Sequence, residues 1–470
     1  MRINVLVSIA AILISAGLIF TSCTEEITGN LNQNQPPETS IFIQGDSLNL
    51  TLSLQTIYWD GSDPDGFIIG FYYTWEENPQ PDDWIWTTNS SQTFPLQITG
   101  TDTIYKFMVK SVDNDSTEDP TPAVQAFPIK NSAPEIAWTS LSRIPDTTFT
   151  IAAFSWNASD LDGDSTIALF EYSLDDTLNW DTIEGFRRQL ILNADSGLTV
   201  GDHSFFIRAV DVAGSKSPII KMPENPNENW HVQAPRGRYL LIDDFEDESS
   251  STNFPDAFYR SLLDTLLPQF GDEYSYWNIE KQFPTSVVQF TETLKQFDRI
   301  IWYADFIQQS DPRFIGAQIA IPEFTKGGGK LIYTVKFTQG FGTQGAPLAF
   351  TPVDSLGDDF RIFNNSLYYS DPDFQSHFPS LPNLPELRSS NPFALFGLLA
   401  LKPKATSVPM YYYDDPNLQN DPLFVLIGQN DNSGQHDFVF AGTPLNQLNG
   451  NGNVGELFRM ILDQIFDENL

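Results

Sequence analysis

The sequence predicts a multidomain chain of two tandem all-β sandwiches followed by one α/β domain. Three observations lead there. Aromatic and acidic landmarks recur at a near-constant interval through the first half. Short stretches rich in β-branched and aromatic residues alternate with Gly, Pro, Asp and Asn turns over the same region. Beyond residue 236, short apolar runs alternate instead with helical spacings, the pattern of a parallel sheet covered by helices. The length agrees, because 470 residues exceed what one core organises. With 41% hydrophobic and 13% aromatic residues, the chain has the material for several cores despite a net charge of −36. That charge excludes a nucleic-acid binder, which needs clustered Lys and Arg. The single cysteine excludes an intramolecular disulfide and any zinc or iron–sulfur site built on cysteines of one chain.

The first element is a targeting segment. Arg2 precedes an uncharged run, Ile3 to Ser22, that closes on Leu18-Ile19-Phe20-Thr21-Ser22-Cys23. A positive start, an apolar middle and small residues at the end make a secretory signal. The competing reading is an uncleaved anchor, since about 20 apolar residues span a bilayer. The closing residues resemble the lipobox of bacterial lipoproteins, with Phe20 where Leu or Val is usual. The resemblance implies removal of residues 1–22 and diacylation of Cys23 as the new N-terminus. Several acyl chains hold firmly where one does not, at about 0.8 kcal/mol per buried methylene. Thr24 is not the Asp that retains enteric lipoproteins at the inner membrane. Glu25-Glu26 is similar to the acidic export tag of some Bacteroidota lipoproteins, which implies the outer membrane. Residues 23–35 are polar and read as a flexible tether.

The next two elements are copies of one module, 36–130 and 131–232. Trp59-Asp60-Gly61-Ser62-Asp63-Pro64-Asp65-Gly66 matches Trp156-Asn157-Ala158-Ser159-Asp160-Leu161-Asp162-Gly163, 97 residues on. Pro37-Glu38 matches Pro134-Glu135, and Trp84 matches Trp180. Phe107 to Asp113 matches Phe205 to Asp211. A module of this size with alternating strands suggests a β-sandwich. The Trp-x-x-x-Asp-x-Asp-Gly turn and the ending Arg208-Ala209-Val210-Asp211-Val212-Ala213-Gly214 resemble the fibronectin type III and Ig-like modules of bacterial surface proteins. That likeness implies a spacer or binding scaffold. In the turns, Asp160, Asp162 and Asp164 alternate, as Asp63 and Asp65 do, and carboxylate oxygens suit Ca²⁺. An EF-type loop needs glycine at its sixth position, whereas Gly163 falls at the fourth. The preferred reading is a tight turn in which Asp bonds its own backbone. A Ca²⁺ site at Asp160, Asp162 and Asp164 is the alternative, and no other cofactor is expected.

The last element, 233–470, begins after a proline-bearing linker between Pro223 and Pro235, so a fragment starting near Arg236 is expected to fold alone. Tyr239 to Asp243 reads as a buried strand, and Phe258, Leu262 and Leu266 then recur at helical spacing. Tyr274 to Ile279, Arg299 to Tyr303 and Lys330 to Val335 read as further strands, with helices between them. The segment 346–420 reads as irregular insertions. Asp298-Arg299-Ile300-Ile301-Trp302-Tyr303, Gly328-Gly329-Lys330-Leu331-Ile332-Tyr333 and Phe438 to Leu445 resemble the class I glutamine amidotransferase-like superfamily, with its flavodoxin-like fold. Active members place a nucleophilic Cys just after the strand that here ends in Val335-Lys336, so the resemblance implies a domain without amidotransferase chemistry. Gly340-Phe341-Gly342-Thr343-Gln344-Gly345 has dinucleotide-binding spacing, but the Pro-rich stretch after it cannot open a helix. His203, His231, His377 and His436 are scattered. Tyr411-Tyr412-Tyr413 suits either sugar stacking or a core.

Open α/β sheets bind ligands beyond the carboxyl ends of their strands. Those ends carry Asp243, Asp244, Asp305, Lys336 and Thr338, the candidate ligand pocket. The expected function is a lipid-anchored envelope protein, non-enzymatic, that presents this domain to a glycan or an envelope protein. The alternative is a hydrolase of envelope or polysaccharide substrates using Asp243, Asp244 or Asp305 as acid and base.

Overall fold

The computed structural model describes residues 33–42, 54–96, 103–129, 131–245, 254–306, 310–337, 348–390, 394–415, 418, 420–429 and 434–466. The chain divides into two compact units, one up to Asn131 and one from Ser132.

The first unit is a β-sandwich. Strands β1 (Glu38–Phe42), β2 (Leu54–Ser62) and β5 (Ser91–Pro95) form one sheet. Strands β3 (Ile68–Thr74), β4 (Ile85–Thr87), β6 (Thr103–Asp113) and β7 (Ala123–Ile129) form the other, in the order β4-β3-β6-β7. Alternation along β3 turns Phe71 and Tyr73 inward. There they meet Trp59 of the facing sheet at ring distances of 6.4 and 6.1 Å, with Phe107 at 5.5 Å.

The second unit opens with another sandwich of the same plan. Its strands are β8 (Glu135–Trp138), β9 (Thr147–Thr148), β10 (Ile151–Ser159), β11 (Ile167–Leu174), β12 (Asp181–Glu184), β13 (Gln189–Asn193), β14 (Gly201–His203), β15 (Phe205–Asp211), β16 (Ile220–Met222) and β17 (Trp230–Val232). Sheets β13-β10-β8 and β12-β11-β15-β16 reproduce the arrangement of the first unit. Trp156 lies 5.2 Å from Phe170, and Phe154 stacks on Phe205 at 4.1 Å. The expected open linker before residue 235 is instead part of this sandwich. β17 pairs with β14 and β9, and Trp230 and Val232 are fully buried. A strand of this length among Pro and Asn has no legible alternation, which hides it in the sequence.

Beyond it, β18 (Tyr239–Asp244), β19 (Tyr274–Asn278), β20 (Arg299–Phe306), β21 (Lys330–Lys336) and β28 (His436–Ala441) pair in parallel in the order β19-β18-β20-β21-β28. Successive side chains feed two cores, so both faces must be covered. Leu241, Ile301, Ile332 and Val439 meet Tyr259 and Leu263 of α1 (Phe254–Leu266) and Leu457 of α6 (Val454–Arg459). Leu240, Trp302 and Tyr333 meet Phe290 of α3 (Val287–Leu294) and Phe314 of α4 (Pro312–Lys326). On α1 the buried stripe runs through Tyr259 and Leu263, one residue past the expected Phe258 and Leu262, which are only partly buried. A short helix α2 (Ile279–Gln282) follows β19, so Ile279 belongs to that helix and not to the strand.

The segment expected to be irregular is largely ordered. β27 (Leu423–Gln429) pairs antiparallel with β28, and β26 (Ser407–Tyr412), β23 (Leu367–Ser370) and β24 (Leu387–Arg388) continue the same sheet. β22 (Val353–Ile362) and β25 (Leu395–Pro403) form a separate ribbon, and α5 (Pro372–His377) lies between β23 and β24 in the chain. Pro409 lies inside β26 at a register shift, the place where a sheet tolerates proline.

The second sandwich is joined to this sheet through side chains. Phe149 is buried in the core of the parallel sheet, 6.1 Å from Trp277 and 5.2 Å from Phe297. Thr150 Oγ1 donates to Gln296 Oε1 at 2.8 Å, and the Ala153 amide to Gln289 Oε1 at 3.3 Å.

Candidate functional site

The parallel strands all end on one edge of the sheet. The order reverses beside β18, whose neighbours β19 and β20 lie on opposite sides, and open sheets form their ligand crevice at such a point. Asp243 and Asp244 close β18 there, and strand alternation sends them to opposite faces.

Asp243 is fully buried. It accepts from Tyr276 Oη at 2.5 Å, Asn278 Nδ2 at 3.3 Å and the Phe245 amide at 3.1 Å. Burial, and then the Asp243 charge, hold the Tyr276 hydroxyl well above the ordinary tyrosine range. Tyr303 is pushed up for the same two reasons.

Asp244 accepts from Trp302 Nε1 at 3.1 Å and pairs with Arg313 Nη1 at 3.0 Å. Arg313 stands in the first turn of α4 and also grips Asp311, Nη2 to Oδ2, at 2.7 Å. Asp311 caps that helix by accepting the Arg313 amide at 2.8 Å. One guanidinium therefore joins two carboxylates. Burial pushes Asp244 up to about 7, against the opposing pull of Arg313 and Trp302. Burial also acts on Asp311, but its bonds to Arg313 outweigh it and keep that group low. The two acids separate into a permanent anion and a group that exchanges a proton near neutrality.

Of the expected pocket residues, Asp243 and Asp244 share the end of β18 but enter separate networks, Asp243 with Tyr276 and Asn278 and Asp244 with Trp302 and Arg313. Lys336 ends β21, half-buried between buried Val335 and buried Phe337. Asp305 lies in β20, and its side chain is outside the described residues, as are Thr338 and the Gly340–Gly345 motif. Asp311, Arg313, Trp302 and Tyr276 are contributions that sequence reasoning missed. The Asp311-Pro312 pair, a cap residue before proline, was a readable signal for the start of α4.

In the Asp-rich turn one oxygen of each of Asp160, Asp162 and Asp164 accepts a backbone amide. The Asp162 amide donates to Asp160 Oδ1 at 2.9 Å, and the Asp160 amide to Asp164 Oδ1 at 3.2 Å. Asp162 Oδ2 accepts from the Ser132 amide and hydroxyl, both at 2.7 Å. In the first unit Asp65 accepts the Gln35 amide at 3.3 Å, the corresponding bond 97 residues earlier. Asp113 and Asp211 both accept the amide four residues on, at 2.7 Å. Burial raises Asp160, and the Asp162 and Asp211 charges add to it. Among the described residues no group of His, Cys, Asp and Glu is arranged to hold a metal ion.

His203, Tyr411 and Tyr413 are structural. His203 is buried, with Nδ1 2.9 Å from Asp175 and Nε2 2.8 Å from the Thr199 carbonyl. Tyr411 and Tyr413 are buried in the core, while Tyr412 stacks on Tyr369 at 5.6 Å. Among the described residues no helix is long and apolar enough to cross a membrane.

No protein-family model matches the sequence, nor does any curated protein. Among solved structures, a two-domain fibronectin type III segment of chicken tenascin is 14% identical, covering 40% of this chain and 97% of that one, with a TM-score of 0.22. The fibronectin(III)-like modules of Clostridium thermocellum CbhA are also 14% identical, covering 42% and 95%, with a TM-score of 0.18. The mmIFT52 N-terminal domain is 11% identical, covering 49% and 99%, with a TM-score of 0.31.

Proposed function

We propose that this protein is a lipid-anchored binding or scaffold protein of the cell envelope, held at the outer membrane through Cys23. In this reading an amidotransferase-like domain without its nucleophile is carried on two fibronectin type III-like spacers and offered to a glycan or an envelope protein. The strand order second-first-third-fourth-last, with helices on both faces, supports the flavodoxin-like assignment. The observation that carries the non-enzymatic reading is the end of β21, where buried Val335 and Phe337 flank Lys336 and no thiol is present. Amide hydrolysis in such a domain needs a thiolate there.

Asp244 favours one second reading. A carboxyl group that titrates near neutrality beside an arginine suits general acid–base work, so a hydrolase is the alternative. Both readings meet one experiment. The purified protein is incubated with glutamine and with panels of glycoside and ester substrates. Absence of ammonia release and of turnover is the expected result; turnover that Asp244→Asn abolishes would replace it with the hydrolase.

A further inference from the structure

The outer face of the β4-β3-β6-β7 sheet carries aromatic side chains where a sandwich ordinarily turns polar groups to water. Tyr72 stands opposite Trp86 on one side and Lys110 on the other. Facing residues of paired strands share a side of the sheet, and Tyr73, the next residue, points into the core. Tyr72 and Trp86 meet edge to face at 4.9 Å. Lys110 Nζ lies 4.3 Å from the centre of the Trp84 ring and is paired with Glu118 at 2.5 Å. Trp86 remains 43% exposed. Its ring occupies the room left by Gly70, where an added Cβ would meet Cζ2 and Cη2 at 2.4 Å.

The second sandwich serves as an internal control. It keeps the cation over the indole, with Arg208 at 4.3 Å from Trp180, so that contact belongs to the shared scaffold. At the positions of Gly70, Tyr72 and Trp86 it holds Leu169, Glu171 and Thr182, aligned by the common strand pairing. The fold therefore does not require the extra rings of the first sandwich.

We propose that this face is a binding platform for a neutral glycan. Pyranose rings present apolar C–H faces that pack on indole and phenol rings, while their hydroxyls need hydrogen-bonding neighbours, which Lys110 and Glu118 supply. The pairing of those two charges leaves the patch locally neutral. On a chain of net charge −36, long-range repulsion disfavours polyanions and anionic membranes. A patch of three rings is also small beside the roughly 800 Å² per partner of a stable protein interface. This site is independent of the strand-end cluster in the other unit.

The test uses the full chain with cellohexaose, xylohexaose, mannohexaose and maltohexaose, read by tryptophan fluorescence and calorimetry. At least one is expected to bind. Trp86→Ala should weaken that binding by about tenfold, or 1.4 kcal/mol. The triple variant Gly70→Leu, Tyr72→Glu, Trp86→Thr, which copies the second sandwich and keeps a fold-compatible surface, should abolish it. Trp180→Ala should leave it unchanged. The proposal is overturned if none of the four sugars binds, if Trp86→Ala and the triple variant bind undiminished, or if Trp180→Ala removes binding equally.

Discussion

At the residue scale, the informative group is Asp244. Its carboxyl is raised to about 7 by burial, so between the ordinary carboxylate value and neutrality the folded protein holds a proton that the unfolded chain has released. The contribution is therefore fully present at acid pH and is lost as pH rises toward 7. For one proton the slope is at most about 1.4 kcal/mol per pH unit. Asp244→Asn removes the titrating group and leaves Arg313 its partner Asp311. The melting temperature of the variant should accordingly change less between pH 5 and pH 7 than that of the parent. An unchanged slope in the variant would assign the titration to another residue. Asp243 and Asp244 were legible in the sequence because a strand running into two acids is a local pattern. Arg313 was not, because its meeting with Asp244 depends on where α4 begins above the sheet.

At the scale of elements, the Asp-Gly turns show why the duplication is readable. The repeated acids tie the chain preceding each sandwich, at Gln35 and at Ser132, to the turn, so the same residues recur wherever the same anchoring is needed. Asp162→Ala removes both bonds to Ser132 and should destabilise the second unit by about 1–3 kcal/mol, measured by thermal or denaturant unfolding. Chelation should leave the melting temperature unchanged, since Asp160, Asp162 and Asp164 are each already held by a backbone amide. A bound ion at a hundredfold excess over its Kd would add about 2.7 kcal/mol, and a clear drop on chelation would restore the calcium reading. The insertion strands were hidden for the opposite reason. β22 and β26 are broken by register shifts and by Pro409, so neither keeps the strict alternation that marks a strand.

At the scale of the whole molecule, two predictions follow from how the parts are tied. Cys23 is the sole thiol, and the run before it ends in small residues. Cys23→Ala should move the protein from the membrane to the soluble fraction once the signal is cleaved; retention there would remove the lipid anchor. The second concerns the junction at Phe149. The residue lies in the bend between β9 and β10, where the sequence carries no marker, and the expectation of a free-standing domain from Arg236 followed from the prolines between 223 and 235. Structurally the ring is buried against Trp277 and Phe297, and Trp230 and Val232 hold the supposed linker in place. Removing an aromatic side chain from such a core costs about 3–5 kcal/mol through lost burial and the cavity left behind. Phe149→Ala in the full chain should lower the stability of the second unit by that amount. A fragment 236–470 leaves the same socket open to water and should melt below a fragment 132–470, which should unfold in one cooperative transition. Equal melting of the two fragments, with Phe149→Ala silent, would return the α/β domain to independence.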